Sequence, residues 1–210
     1  MLKLGILSST KGTDMQSIID AISSKKLNAQ ISIVISNKKD AFALERAKKH
    51  NINTVFLDPM GYEANDMEKS RENYDKKVAE ILEKNDVELV LLIGYMRYMS
   101  KWFVDKFRNK VMNIHPSLLP KYAGGMNKKV HEEVLKNKEK VSGATLFFVN
   151  EGADTGPIIF QKEVKISKDE TVDSLKGKVQ KAEQEIILKA IELFEKRKIK
   201  VTMGKVEIID

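Results

Sequence analysis

The chain has 210 residues, 42 % apolar and 32 % charged, with 37 Lys+Arg against 30 Asp+Glu for a formal charge of +7. A chain of this size buries about 70 % of its unfolded surface in one domain and needs no covalent staples. The lack of cysteine excludes disulfides, thiolate metal sites and a thiol nucleophile, and three histidines (His50, His115, His131) leave little for a histidine-rich metal centre.

Leu2–Leu7 reads as a strand, Met15–Ile22 as an amphipathic helix and Ala29–Ser36 as a second strand. Ala41–His50 is a short helix, Thr54–Leu57 a third strand, Tyr74–Lys84 an amphipathic helix and Leu89–Ile93 a fully buried strand. This alternation implies an α/β fold with a mostly parallel sheet covered by helices on both faces. The second half is less regular. Lys110–Ile114 is a short strand leading into a proline-marked segment, Val130–Lys136 is helical, and Gly143–Val149 and Ile158–Val164 are strands joined by a turn. Thr171–Arg197 forms a long helix with a break expected near Gly177, and Val201–Ile208 ends the chain as an edge strand or hairpin. The longest apolar run, Val90–Ile93, is far too short to span a membrane, and the first residues lack a signal peptide's charged head and long core. The chain therefore reads as cytoplasmic. Its lysines are interleaved with acids along the whole length, which is not a nucleic-acid footprint.

Ligands of open α/β sheets bind beyond the carboxyl ends of the strands, so the segments after each strand carry the functional signal. Ser8–Asp14 follows the first strand and opens a helix. Its small residues, Gly12 and Lys11 suit a phosphate held by backbone N–H groups at a helix N-terminus. An ordinary turn capped by Thr13 or Asp14 is the plainer alternative. In the string Asn113-Ile114-His115-Pro116, residues two apart on an extended chain face the same side, so Asn113 and His115 converge. An amide and an imidazole there can stabilise an oxyanion and move a proton, or simply hold a rigid loop. Asp154-Thr155-Gly156-Pro157 has the chemistry of a turn. Its carboxylate is also suited to pairing with His115, raising the histidine pKa or orienting the ring.

Together these segments resemble the glycinamide ribonucleotide formyltransferase family, the folate-dependent enzymes of purine biosynthesis. The resemblance runs through Lys11–Asp20, Ser36–Ala47, Gly94–Arg97, Asn113–Lys121, Ser142–Thr145 and Asp154–Ile159, over roughly residues 2–200. It implies a Rossmann-like formyltransferase fold in a single domain, 1–210, with an α/β phosphate-binding half over 1–100 and a catalytic and folate-binding half over 101–210. It implies formyl transfer from 10-formyltetrahydrofolate, as co-substrate, to the amine of glycinamide ribonucleotide without a metal. By the same resemblance Asn113 stabilises the oxyanion, His115 acts as acid/base and electrostatic partner, and Asp154 pairs with His115. Gly12, Thr13, Asp14, Gln180 and Glu183 would contact the ribonucleotide. Met96, Arg97, Tyr98 and Met99 would line the folate pocket, with Arg71 near it. The implied partners are these two substrates, with no nucleic acid or membrane, acting on a monomer or homodimer.

The chain departs from the family pattern in three places. Asp14 and Lys11 stand where the phosphate loop commonly has Asn, and Asn or Thr. The segment 122–131 resembles a longer variant loop with His131 starting a helix. Phe147 stands where many members carry His. A carboxylate beside a phosphate is costly unless it points away, for instance to cap the helix. The rival readings are a formyltetrahydrofolate hydrolase, which usually has an added N-terminal domain, and a tRNA formyltransferase, which adds a C-terminal RNA-binding domain. A non-catalytic binding module would be expected to lack the Asn–His–Asp set. Trp102 and Phe103 are expected to pack in the core.

Overall fold

The computed structural model describes residues 1–125 and 128–209. Along the chain run β1 (Leu2–Leu7), α1 (Thr13–Ser23), β2 (Ala29–Ser36), α2 (Phe42–Lys49), β3 (Thr54–Phe56), α3 (Met67–Lys84), β4 (Leu89–Leu92) and α4 (Lys101–Lys106). They continue with β5 (Val111–His115), α5 (Lys128–Lys136), β6 (Val141–Phe148), β7 (Ile158–Lys165), α6 (Val172–Glu195), β8 (Ile199–Thr202) and β9 (Lys205–Ile208). Seven strands make one sheet in the order β3-β2-β1-β4-β5-β6-β7. The first five are parallel, and β6 and β7 add antiparallel at the edge beyond β5.

The strands bury both faces, and the period of two sends alternate residues to opposite layers. Leu4, Ile6, Leu89 and Leu91 join the layer beneath α1, α5 and α6. Leu7, Ile35, Val90 and Leu92 join the other, beneath α3 and α4. Tyr74, Val78 and Leu82 on α3 are fully buried there. Each large side chain taken out of water stabilises the layer by about 1.5–3 kcal/mol.

Three differences from the sequence reading have local causes. Helix α3 begins at Met67, two turns earlier than its apolar pattern shows. Asp66 caps it by accepting from the backbone N–H groups of Glu68 and Lys69, and its polar first turns carry Lys69–Glu72 and Lys76–Glu72 pairs instead of core residues. Helix α4 was not anticipated; Ser100 caps it through Phe103 N–H, and Phe103 is fully buried while Trp102 sits under Lys76 and Lys106. Helix α6 runs unbroken through Gly177, where nothing lies within 4 Å of a would-be Cβ. Leu175 and Val179, both fully buried, hold the helix across it, which outweighs a glycine cost of about 1 kcal/mol. The end of the chain is a separate β8–β9 hairpin, two residues longer at its start than expected, turning at Met203 and Gly204, both with positive φ.

Candidate functional site

The strand order reverses direction at β1, where the chain first winds outward to β2 and β3 and later returns to β4 on the other side. The C-terminal ends of β1 and β4 therefore diverge and leave a crevice. A cavity of about 510 Å³ opens there, within the size range of small-molecule sites. The loops after β1, β4 and β5 form its walls, with the 150–154 turn, Gly124–Gly125 and one face of α6.

The loop after β1 wraps closely onto that after β4. Ser9 N–H donates to Gly94 O at 3.0 Å, and Ser9 Oγ accepts from Met96 N–H at 2.8 Å while donating to Asn37 on the β2 loop. Gly94, at φ +61°, makes the approach possible, because a Cβ there would lie 2.3 Å from Thr10 Oγ1. Gly12 takes the left-handed conformation as N-cap of α1, with no side chain capping the helix. Neither Thr13 nor Asp14 is the cap, contrary to the alternative reading of this loop. The first-turn N–H groups of α1 therefore stay open toward the cavity, which Thr13 and Asp14 both line.

Asn113 and His115 leave β5 on the same face, opposite Phe147 and Thr145 of β6. Asn113 is half-buried, lines the cavity and has no side-chain hydrogen bond among the described residues. The His115 side chain is only 4 % exposed, with Nδ1 3.2 Å from Asp154 Oδ2. Its Nε2 lies 2.9 Å from Tyr122 O, which can only accept, so Nε2 carries a hydrogen. Nδ1 and the Asp154 carboxyl lie within ion-pair reach, without the alignment of a hydrogen bond. Gly124 N–H donates to the same Asp154 Oδ2 at 2.8 Å. Asp154 reaches this position from a backbone at φ +53°. Burial pushes the His115 pKa down, and Asp154 and the Tyr122 carbonyl offset this only in part. Asp154 therefore acts on His115 in the direction expected from the sequence, upward, but burial outweighs it.

The loop carrying His115 is braced from β6 and β7. Thr145 Oγ1 donates to Ser117 O and accepts from Leu119 N–H, and Gln161 Nε2 reaches both Leu119 O and Thr145 Oγ1. Sequence reasoning singled out Ser142–Thr145 without giving Thr145 this work.

Across the cavity, Asp14 is 8 % exposed on the first turn of α1 and does not point away as a cap. It faces Gln184, whose Nε2 lies 3.5 Å from Asp14 Oδ1, and Gln180, both on α6. Burial raises its pKa from 3.8 to about 6 against the lowering by these amides. Glu183, 9 % exposed on the same wall, is pushed well up by burial and by the Asp14 charge.

These features fit the comparisons with known proteins. The model of the formyl transferase family matches residues 2–191. The chain belongs to the formyl transferase family. It is 35 % identical over 208 residues to the phosphoribosylglycinamide formyltransferase of Haemophilus influenzae, covering 96 % of this chain and 91 % of that one. It is 38 % identical over 193 residues to the trifunctional purine biosynthetic protein adenosine-3 of Chironomus tentans; that match covers 91 % of this chain but only 13 % of the larger protein. The structure superposes on glycinamide ribonucleotide transformylase 1 from Symbiobacterium toebii with a TM-score of 0.91 at 34 % identity, covering 100 % of this chain and 95 % of that one.

Within this family fold, the residues singled out from sequence meet around one cavity with few exceptions. Met96, Arg97, Tyr98 and Met99 form its β4 wall, and Arg97 stacks over Tyr74 at 4.2 Å. Arg71 lies outside the lining; it pairs with Glu68 and sits 5.9 Å from the ring of Tyr98. Gly12 shapes the loop without lining the cavity. Phe147 is buried and lines it from β6. His131 lies inside α5 and not at its start. The rest of the variant loop includes Met126 and Asn127, outside the described residues. Lys176 was missed. It precedes Gln180 by four residues and Glu183 by seven on α6, so helical spacing puts all three on one face.

Proposed function

We propose that this chain transfers the formyl group of 10-formyltetrahydrofolate to the amine of glycinamide ribonucleotide, and that it works as a single domain over 1–210. The observation that carries the reading is the meeting of Asn113, His115 and Asp154 in a cavity whose far wall is an uncapped helix N-terminus. The family membership and the named relatives support it.

In this reading the ribonucleotide phosphate rests on the backbone of Gly12, Thr13 and Asp14, where N–H groups and the helix dipole favour an anion. Gln180 and Glu183 hold the rest of the nucleotide. The folate lies against Met96, Arg97, Tyr98 and Met99, with Arg71 steadying Tyr98 from outside. The acceptor's amine nitrogen attacks the formyl carbon, and the formyl C=O becomes an oxyanion that meets the free amide of Asn113 and the ring of His115. The attacking nitrogen loses a proton, N10 gains one, and the C–N10 bond breaks to release tetrahydrofolate. His115, with the Asp154 carboxyl beside its Nδ1, supports that transfer. The test is a formyl-transfer assay with acceptor present and omitted. Acceptor-dependent release of tetrahydrofolate is expected; release that ignores the acceptor would instead mean hydrolysis.

A further inference from the structure

The wall formed by α1 and α6 presents a problem of charge. Asp14 and Glu183 are both about nine-tenths buried, and both line the same cavity. Glu183 accepts no hydrogen bond among the described residues, and Asp14 has the long contact from Gln184 with Gln180 beside it. Ion-pair partners are scarce. Lys11 lies in the loop before α1 and is exposed, and Lys176 on α6 is exposed at the rim. From α5 comes His131, 1 % exposed with Nδ1 unpartnered; burial and Lys176 lower its pKa to about 4, so it stays neutral. From β5 comes His115, already committed to Asp154 and Tyr122. Gln180 and Gln184 contribute dipoles only. An anion entering beside the first turn of α1 would meet two carboxylates where water cannot screen them.

Resting on the functional reading above, we propose that Asp14 meets the phosphorylated acceptor as a neutral carboxylic acid, donating its hydrogen to a phosphate oxygen, so that binding above neutral pH takes up one proton from solvent. The position makes this workable. The carboxyl stands beside the open N–H groups of α1, where the phosphate would lie, and a protonated carboxyl adds a donor to that set. Its pKa, raised by burial to about 6, brings the neutral form closer to reach. An approaching dianion shifts the same balance further toward the neutral form. The sign follows: affinity is greatest while Asp14 is protonated and falls as pH rises through its pKa.

The test measures the KM for glycinamide ribonucleotide from about pH 6.5 to about pH 9 in the wild type, Asp14→Asn and Asp14→Ala, with folding checked by circular dichroism. The acceptor's own phosphate and amine titrate alike in all three, so the ratio of profiles isolates Asp14. The ratio of wild-type KM to that of Asp14→Asn is expected to rise ~10-fold or more over this range. Asn keeps a neutral donor, so Asp14→Asn should bind more tightly than Asp14→Ala throughout. Calorimetry with ribose 5-phosphate in buffers of different ionisation enthalpy should show proton uptake near pH 8 in the wild type and none in Asp14→Asn. Parallel profiles, or equal proton uptake, would overturn the inference while leaving the transferase reading intact. No acceptor-dependent transfer by the wild type would overturn both.

Discussion

The two ends of the cavity each hold a carboxyl, half-buried in Asp154 and buried in Asp14, and they are built in opposite ways. Asp154 arrives from a strained turn to meet an imidazole and a backbone N–H. Asp14 arrives from a regular helix to face a second carboxyl and two amides. The first carboxyl is supplied with a backbone N–H donor and an imidazole beside it. The second is placed where charge is expensive, and burial raises its pKa to about 6. The difference teaches that burial alone does not set a carboxyl's role; the hydrogen-bond donors arranged around it do.

The largest expected effect is at the Asp154 end. His115→Ala or Asp154→Asn should lower kcat by about 100-fold or more in the formyl-transfer assay with the fold intact, and a near wild-type rate in either would break the distinction between the two ends. At the other end the effect is expected in stability. The folded protein holds the Asp14 proton to about pH 6 against a reference of 3.8, so the folded state binds more protons over that interval and stability falls as pH rises through it. Asp14→Asn should therefore gain on the wild type, by on the order of 2 kcal/mol above pH 6, and the gain should vanish near pH 4 in urea titrations. Gln180→Ala should raise the KM for the ribonucleotide by roughly tenfold, near the worth of one polar contact, with the folate KM little changed; equal effects on both would mean the ends have been exchanged. The smallest change is Gly177→Ala, on the exposed side of α6. It should raise stability by about 0.5–1 kcal/mol in thermal melts and leave the kinetics at both ends alone.

How much was legible in advance follows the same division. β1 and β2 match the sequence reading residue for residue because alternate apolar residues feed two layers, and periodicity records that directly. Asn113 and His115 could be joined for the same reason. Helix α4 and the polar start of α3 were hidden because caps and ion pairs hold them, not an apolar stripe. The loop geometry was hidden as well. That Gly12 and not Thr13 would cap α1 depends on a left-handed backbone packed against Ala43, a contact across distant segments. The Tyr122 carbonyl and Gly124 N–H that complete the His115–Asp154 pair are backbone groups, invisible to side-chain motifs. Lys176 was the signal within reach, since its spacing from Gln180 and Glu183 needed no structure.

The single hydroxyl of Ser9 touches the loops after β2 and β4, and its own backbone N–H binds the latter again. The phosphate-side rim and the β4 wall are thereby fastened into one piece, so one cannot swing without the other. At the opposite lip the 150–154 turn and the Gly124 backbone meet through one carboxyl oxygen. Among the described residues, one hydrogen bond joins that lip where three join the Ser9 side, so the two rims of one cavity are fastened unequally.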